Sequence, residues 1–202
     1  MTTKTFKYGG FVAGAVLIVF GGAAIFMGFN GRSTVQSSLK LEAITGSDGM
    51  NPATIATEAK EAGLPATVAL PTCDVAGKEI DSGTSARCFA SYIRIHALEA
   101  SGGKTYSQLP RFATADGAGT SDKALALKDA AGAVLSNPAR DQWITATALS
   151  TALNVSYMAD QLALFGIMVG VALLLTGIGF GVLAGGLLGR KVDAAGTVAA
   201  PG

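Results

Sequence analysis

His96 is the single histidine of this chain, and Cys73 and Cys88 are its two cysteines. Together they supply the right atom types for zinc. However, fourteen residues separate the cysteines in PTCDVAGKEIDSGTSARC, too many for the CxxC half of a zinc site. A non-haem iron centre built on two imidazoles and a carboxylate fails for want of a second histidine. Gly102, Gly103, Lys104 and Thr105 end like a phosphate-binding loop, yet the glycine required upstream is Leu98. No GxSxG elbow occurs, and Glu58 with Glu61 reads as a solvated helix face. The expectation is therefore a protein with no catalytic residues, no cofactor and no metal site. For Cys73 and Cys88 the natural expectation is a disulfide in an oxidising compartment. Closing a loop of about fifteen residues is worth about 3 kcal/mol in the chain-entropy view. Two buried thiols are the alternative.

The elements that must position these residues are written in two kinds of sequence. Half of the residues are hydrophobic and 14% are charged, against about 25% charged in an average soluble domain, and mean hydropathy is +0.44. Fifteen basic and fourteen acidic residues leave a net charge of +1, which removes the positive field that nucleic-acid binding requires. The apolar excess is concentrated. From Tyr8 to Phe29 no charge occurs in 22 residues, about 33 Å of helix at the standard rise. A second uncharged run covers 28 residues from Leu162 to Gly189. Both are long enough for a hydrocarbon core of about 30 Å. The first run also exceeds the apolar core of a signal peptide, and no small-x-small cleavage pattern follows it.

Basic flanks set the expected orientation. Lys4 and Lys7 precede the first run, and Arg190 and Lys191 follow the second. Both termini are then cytoplasmic, as residues 1–7 and 190–202. Residues 8–29 and 161–189 form the spans, and residues 30–160 form an extracytoplasmic α-rich domain. Residues 33–160 hold ten basic and thirteen acidic residues, so this region is mildly acidic.

Fourteen of the 27 glycines fall in the two runs, where a missing side chain lets helix backbones approach closely. Gly14, Gly21 and Gly28 repeat every seven residues, with Gly10 four before. Gly166 and Gly170 form a GxxxG pair, and Gly177, Gly181, Gly185 and Gly189 follow at spacings of four. These ten glycines are expected to form packing faces, either between the two spans or between copies of the chain.

In the outer region, Asn51 and Pro52 open a short helix that Gly63 and Pro65 close. Residues 66–84 read as extended chain and loop with room for one short strand. Cys88, Phe89, Tyr92, Ile93 and His96 share a helical period within residues 85–100, which Gly102 and Gly103 stop. Asp122 caps an expected third helix, KALALKDAAG, ending at Gly132. Asn137 and Pro138 begin the longest element, a helix expected to run unbroken through the second span to Gly189. Its outer half carries a stripe of Ile144, Ala148, Ala152, Val155 and Ala159 for burial against the other outer helices, while Val35, Leu39 and Leu41 extend the first span outward beside it. The fold class is mainly α, with two transmembrane helices and a small helical domain between them.

The run from Trp143 to Leu183, with KYGGFVAGAVLIVFGGAAI near the start and ITGSDGMNPATI in the outer region, resembles a group of actinobacterial two-span membrane proteins. Some similar proteins carry the label aromatic ring-opening dioxygenase, which implies an iron site. The single His96 puts no residue of this chain in that role. The resemblance implies a bacterial plasma membrane and no defined catalytic motif. The functional expectation is a non-enzymatic membrane protein acting by protein–protein interaction or self-assembly through its outer domain. Its partners are the lipid bilayer and a second copy or another membrane protein, and nucleic acid is not among them. The alternatives are an accessory subunit of a transporter or respiratory complex, then a small channel or a metal-dependent dioxygenase.

Overall fold

Local signals start and stop the helices. In the computed structural model, which describes residues 3–187, they are α1 (Thr3–Leu41), α2 (Pro52–Glu61), α3 (Gly83–Ala100) and α4 (Pro138–Val182). One π-type turn, Leu183–Leu187, follows α4. No strand forms among the described residues, and β pairing is limited to isolated bridges such as Thr45 with Glu79. The molecule is mainly helical, and α1 and α4 each contain a segment long and apolar enough to cross a membrane. Gly189, Arg190 and Lys191 lie outside the described residues. The chain divides into two units, Met1–Thr34 with Asp160–Gly202, and Val35–Ala159.

In the first unit α1 and α4 pack antiparallel. A Cβ on Gly14 would stand 2.7 Å from the carbonyl oxygen of Gly177, and one on Gly177 equally close to that of Gly14. Gly21 and Gly170 stand in the same reciprocal relation, an added Cβ on each lying 2.7 Å from the other's oxygen. A Cβ on Gly28 would meet the oxygen of Ala163 at 2.7 Å, and one on Gly10 would meet Ala184 Cβ at 3.0 Å. No L side chain fits such gaps unless the helices part. Gly14, Gly21, Gly28, Gly170, Gly177 and Ala184 are buried, while Phe20, Phe26, Leu162 and Phe165 point outward.

The packing face on α4 follows a seven-residue period and departs from the expected stripe. Successive residues turn by about 100°, so a step of four drifts forward by about 40° and a step of seven falls back by only about 20°. Gly181 and Gly185 therefore rotate out of the seam, and Ala184 takes the place expected of them. A Cβ on Gly181 would meet nothing within 4 Å, and one on Gly185 only the ring tip of Phe11 at 3.6 Å. Gly166 is also marginal, with the oxygen of Ala24 at 3.8 Å. At one end of the unit Arg32 Nε donates to Asp160 Oδ1 at 2.9 Å, and the Asp160 side chain is almost fully covered.

In the second unit Asn51 caps α2 by accepting the amide of Thr54, and Gly63 leaves the helix at φ +68°. α3 begins two residues earlier than its apolar period suggested, because Ser82 and Ser85 form a reciprocal capping box. Gly102 and Gly103, both at positive φ, end the turn after it. The core gathers Tyr92, Ile55, Ile80 and Ile95, all essentially sealed, with Leu39, Trp143 and Leu153. Leu41, expected beside Leu39, is exposed.

Two expectations are overturned here. KALALKDAAG is a series of turns and not a helix. Asp122 accepts the amide of Ala124 and Asp129 those of Ala131 and Ala133, so each aspartate captures backbone donors that a helix would need. Leu125 is exposed, so little apolar burial rescues so short a helix. On α4 the expected stripe faces outward, with Ile144 and Val155 more than half exposed. The covered side is Trp143, Ala146 and Leu153. Trp143 Nε1 fixes that rotation by donating to Ser101 Oγ at 3.1 Å and to the Lys104 carbonyl at 2.9 Å.

Candidate functional site

Within the second unit α3 and α4 border an open groove of about 540 Å³. Arg87 and Arg94 stand on the α3 side, two turns apart on one face, with Thr147, Ser150 and Asn154 opposite on α4. The Arg87 guanidinium lies 4.8 Å from the centroid of the Tyr157 ring, and that of Arg94 lies 5.9 Å from the Trp143 ring. A guanidinium held over an aromatic face keeps its N–H edge available for a second interaction. Among the described residues no carboxylate lies within ion-pair distance of either arginine. The groove thus combines two cations, several hydroxyls and an amide, a set suited to binding anions. It contains no nucleophile paired with a base.

Cys73 and Cys88 are joined, with the sulfurs 2.06 Å apart and the Cα atoms 6.1 Å apart. The zinc set of Cys73, Cys88 and His96 is accordingly unavailable. Tyr92, one turn beyond Cys88, donates its hydroxyl to the Cys73 carbonyl at 2.6 Å, so the bridged loop is fastened twice to α3. Burial, with Asp74 adding to it, raises the Tyr92 phenol above its ordinary value.

His96 stands elsewhere on α3, within 3.6 Å of Glu58 Oε2 on α2. Glu99 completes a trio in which one potential ligand atom from each residue lies within 4.8 Å of the others. Glu99 Oε1 is buried and accepts no hydrogen bond. Burial raises the Glu99 carboxyl, Glu58 raises it further and His96 opposes them.

Sequence reasoning placed neither this trio nor the groove. Glu58 and His96 are 38 residues apart in the chain, and nothing local says that α2 will lie on α3. The available signals were the i, i+3 pair of His96 and Glu99, and the i, i+7 pair of Arg87 and Arg94, the two arginines of α3. Of the glycines singled out, the fold brings together Gly10, Gly14, Gly21, Gly28, Gly170 and Gly177, leaves Gly166, Gly181 and Gly185 at the margin, and does not describe Gly189. The chain matches no family model, no curated protein and no solved structure.

Proposed function

We propose that this protein is a non-enzymatic, membrane-anchored binding module. In this reading the glycine-seamed helix pair crosses a bacterial plasma membrane with both termini inside. The Val35–Ala159 unit lies outside and captures an acidic segment of a partner protein in the groove between α3 and α4. The observation that carries the reading is the pair of ring-stacked arginines without carboxylate partners. Seven residues along a helix is about 10 Å. Side chains of an extended segment alternate faces, so carboxylates two or four residues apart, about 7 or 13 Å, share one face and bracket the separation of the two guanidinium groups.

The membrane part of the proposal is supported by which residues face outward. A core helix of a water-soluble protein hides its apolar side chains, whereas Phe20, Phe26, Leu162 and Phe165 are exposed on the helix pair. Basic flanks on the terminal sides and a cysteine pair in the middle favour the stated orientation. Protease treatment of intact spheroplasts tests it: cleavage within residues 35–159 is expected, and protection of that region with digestion of terminal reporters sinks it.

Crosslinking in native membranes, followed by gentle extraction and mass measurement, tests the partner. The expected result is a copurifying protein that disappears when Arg87→Gln and Arg94→Gln are combined. A strictly monomeric species without a companion removes the reading. Self-association has one specific support, that Gly179 on α4 and Gly186 in the π-type turn after it have open space where a side chain would stand. The same mass measurement separates it, because a homo-oligomer survives the arginine changes.

A further inference from the structure

The geometry points to a divalent transition-metal site at Glu58, His96 and Glu99, distinct from the arginine groove and independent of the partner-binding proposal. His96 and Glu99 project one turn apart from α3, and Glu58 approaches them from α2. On a helical wheel His96 lies about 200° and Glu99 about 140° from Arg94, so the trio occupies a different side of α3 from the groove.

Three observations combine. One ligand-capable atom from each residue lies within 4.8 Å of the other two. Ligands around a tetrahedral zinc ion at about 2.1 Å stand about 3.4 Å from one another, so side-chain adjustments of about an ångström close the set. Independently of that convergence, Glu99 Oε1 is buried with no hydrogen bond. An unpaired buried carboxylate oxygen is costly, and a cation bound by the Glu99 carboxylate supplies the charge that offsets it. The charges also suit a divalent ion, since two carboxylates and a neutral imidazole carry a total of about −2.

The imidazole selects among cations. Calcium and magnesium prefer all-oxygen surroundings, whereas zinc and its first-row neighbours accept a nitrogen with carboxylates. Three protein ligands leave a position for water. The ion would pin α2 to α3, which the disulfide does not do, because Cys73 belongs to the loop after α2. Its role in this proposal is to fasten the outer unit and not to turn over a substrate.

The test uses the full chain in mild detergent, purified without a histidine tag, stripped with chelator and titrated with ZnCl₂. One zinc per chain is expected. Glu99→Gln and His96→Ala should each weaken binding by about tenfold or more, while Glu61→Gln, one turn along the same helix from Glu58, should leave it unchanged. Melting of each metal-free variant beside the metal-free wild type separates loss of a ligand from loss of the fold. If a variant does not fold, pulsed EPR of Cu²⁺ bound to the wild type decides. His96 is the only histidine, so an imidazole nitrogen coupling there reports this site. No saturable zinc uptake up to about 1 mM, a weak limit of about −4 kcal/mol, overturns the proposal. Uptake undiminished in His96→Ala, or a copper spectrum without imidazole coupling, overturns it equally.

Discussion

The helix pair and the middle unit solve the packing problem in opposite ways. Between α1 and α4 in the first unit, the buried positions are glycine and alanine with one ion-paired aspartate, and the large apolar side chains face out. In the middle unit Tyr92, Ile55, Ile80 and Ile95 are sealed inside, and caps, a disulfide and a tryptophan bond hold the helices around them. Water drives large apolar groups inward. Lipid exerts no such force between helices, so contact must come from close backbone approach. With the helix pair in a bilayer, as proposed above, one polypeptide is composed for two solvents, and the same substitution should have different consequences in the two units.

The largest contrast should come from truncating a big side chain. Tyr92→Ala should destabilise the middle unit by about 3–5 kcal/mol, as deletion of a buried aromatic does. Phe20→Ala, on the outward face of α1, should change stability by about 0.5 kcal/mol or less. Denaturant titration in detergent, followed by the Trp143 signal for the middle unit and by labels on the two helices for the pair, reads both. Equal losses at the two positions would break the comparison.

Removing the bridge comes next. Cys73→Ser with Cys88→Ser should cost about 3 kcal/mol, because the open loop of the unfolded chain regains its entropy. The loss should appear in the middle-unit transition and leave the helix-pair signal in place. A coincident shift of both signals would show that the two units unfold together.

Neighbouring glycines sharpen the contrast at finer scale. A Cβ at Gly21 would meet the oxygen of Gly170 at 2.7 Å, whereas one at Gly22 would meet nothing within 4 Å. Gly21→Ala should weaken the pairing of α1 with α4 by about 1–3 kcal/mol, the usual range for overpacking. Gly22→Ala should be neutral or favourable by up to about 1 kcal/mol through helix propensity. Fluorescence transfer between labels on the two helices, measured during detergent-induced dissociation, distinguishes them.

How much of this was legible depended on whether the deciding interaction was local. Asn51 and Pro52 announce α2 because the capping bond spans three residues, and the uncharged runs announce α1 and α4 because composition suffices. The seven-residue seam was half visible: Gly14, Gly21 and Gly28 show it directly, but on α4 the glycines at steps of four drew attention from Ala184. KALALKDAAG misled because its apolar period was real while its aspartates bound backbone donors in turns. The rotation of α4 was hidden in Trp143, whose indole is fixed by Ser101 and Lys104, about forty residues away. The same distance concealed Glu58 from His96, and α4 from the arginines of α3.

The smallest expected effect concerns Tyr92 and alkaline pH. Its phenol is raised above the ordinary value of 10.0, chiefly by burial and further by Asp74. The neutral form is the one the fold accommodates, since it donates to the Cys73 carbonyl. An unfolded chain releases this proton near the ordinary value, while the folded chain holds it to higher pH. Stability from this residue is therefore complete below about pH 10. It declines as pH rises above that value and is lost through the higher folded-state value. Tyr92→Phe should cost about 1 kcal/mol at neutral pH through the missing hydrogen bond, and it should also lessen the alkaline decline. The two stability curves are expected to converge as pH rises, in urea titrations of the middle unit at neutral pH and above pH 10. Parallel curves would mean that the hydroxyl is solvated in the folded chain and that the bridged loop is not fastened through it.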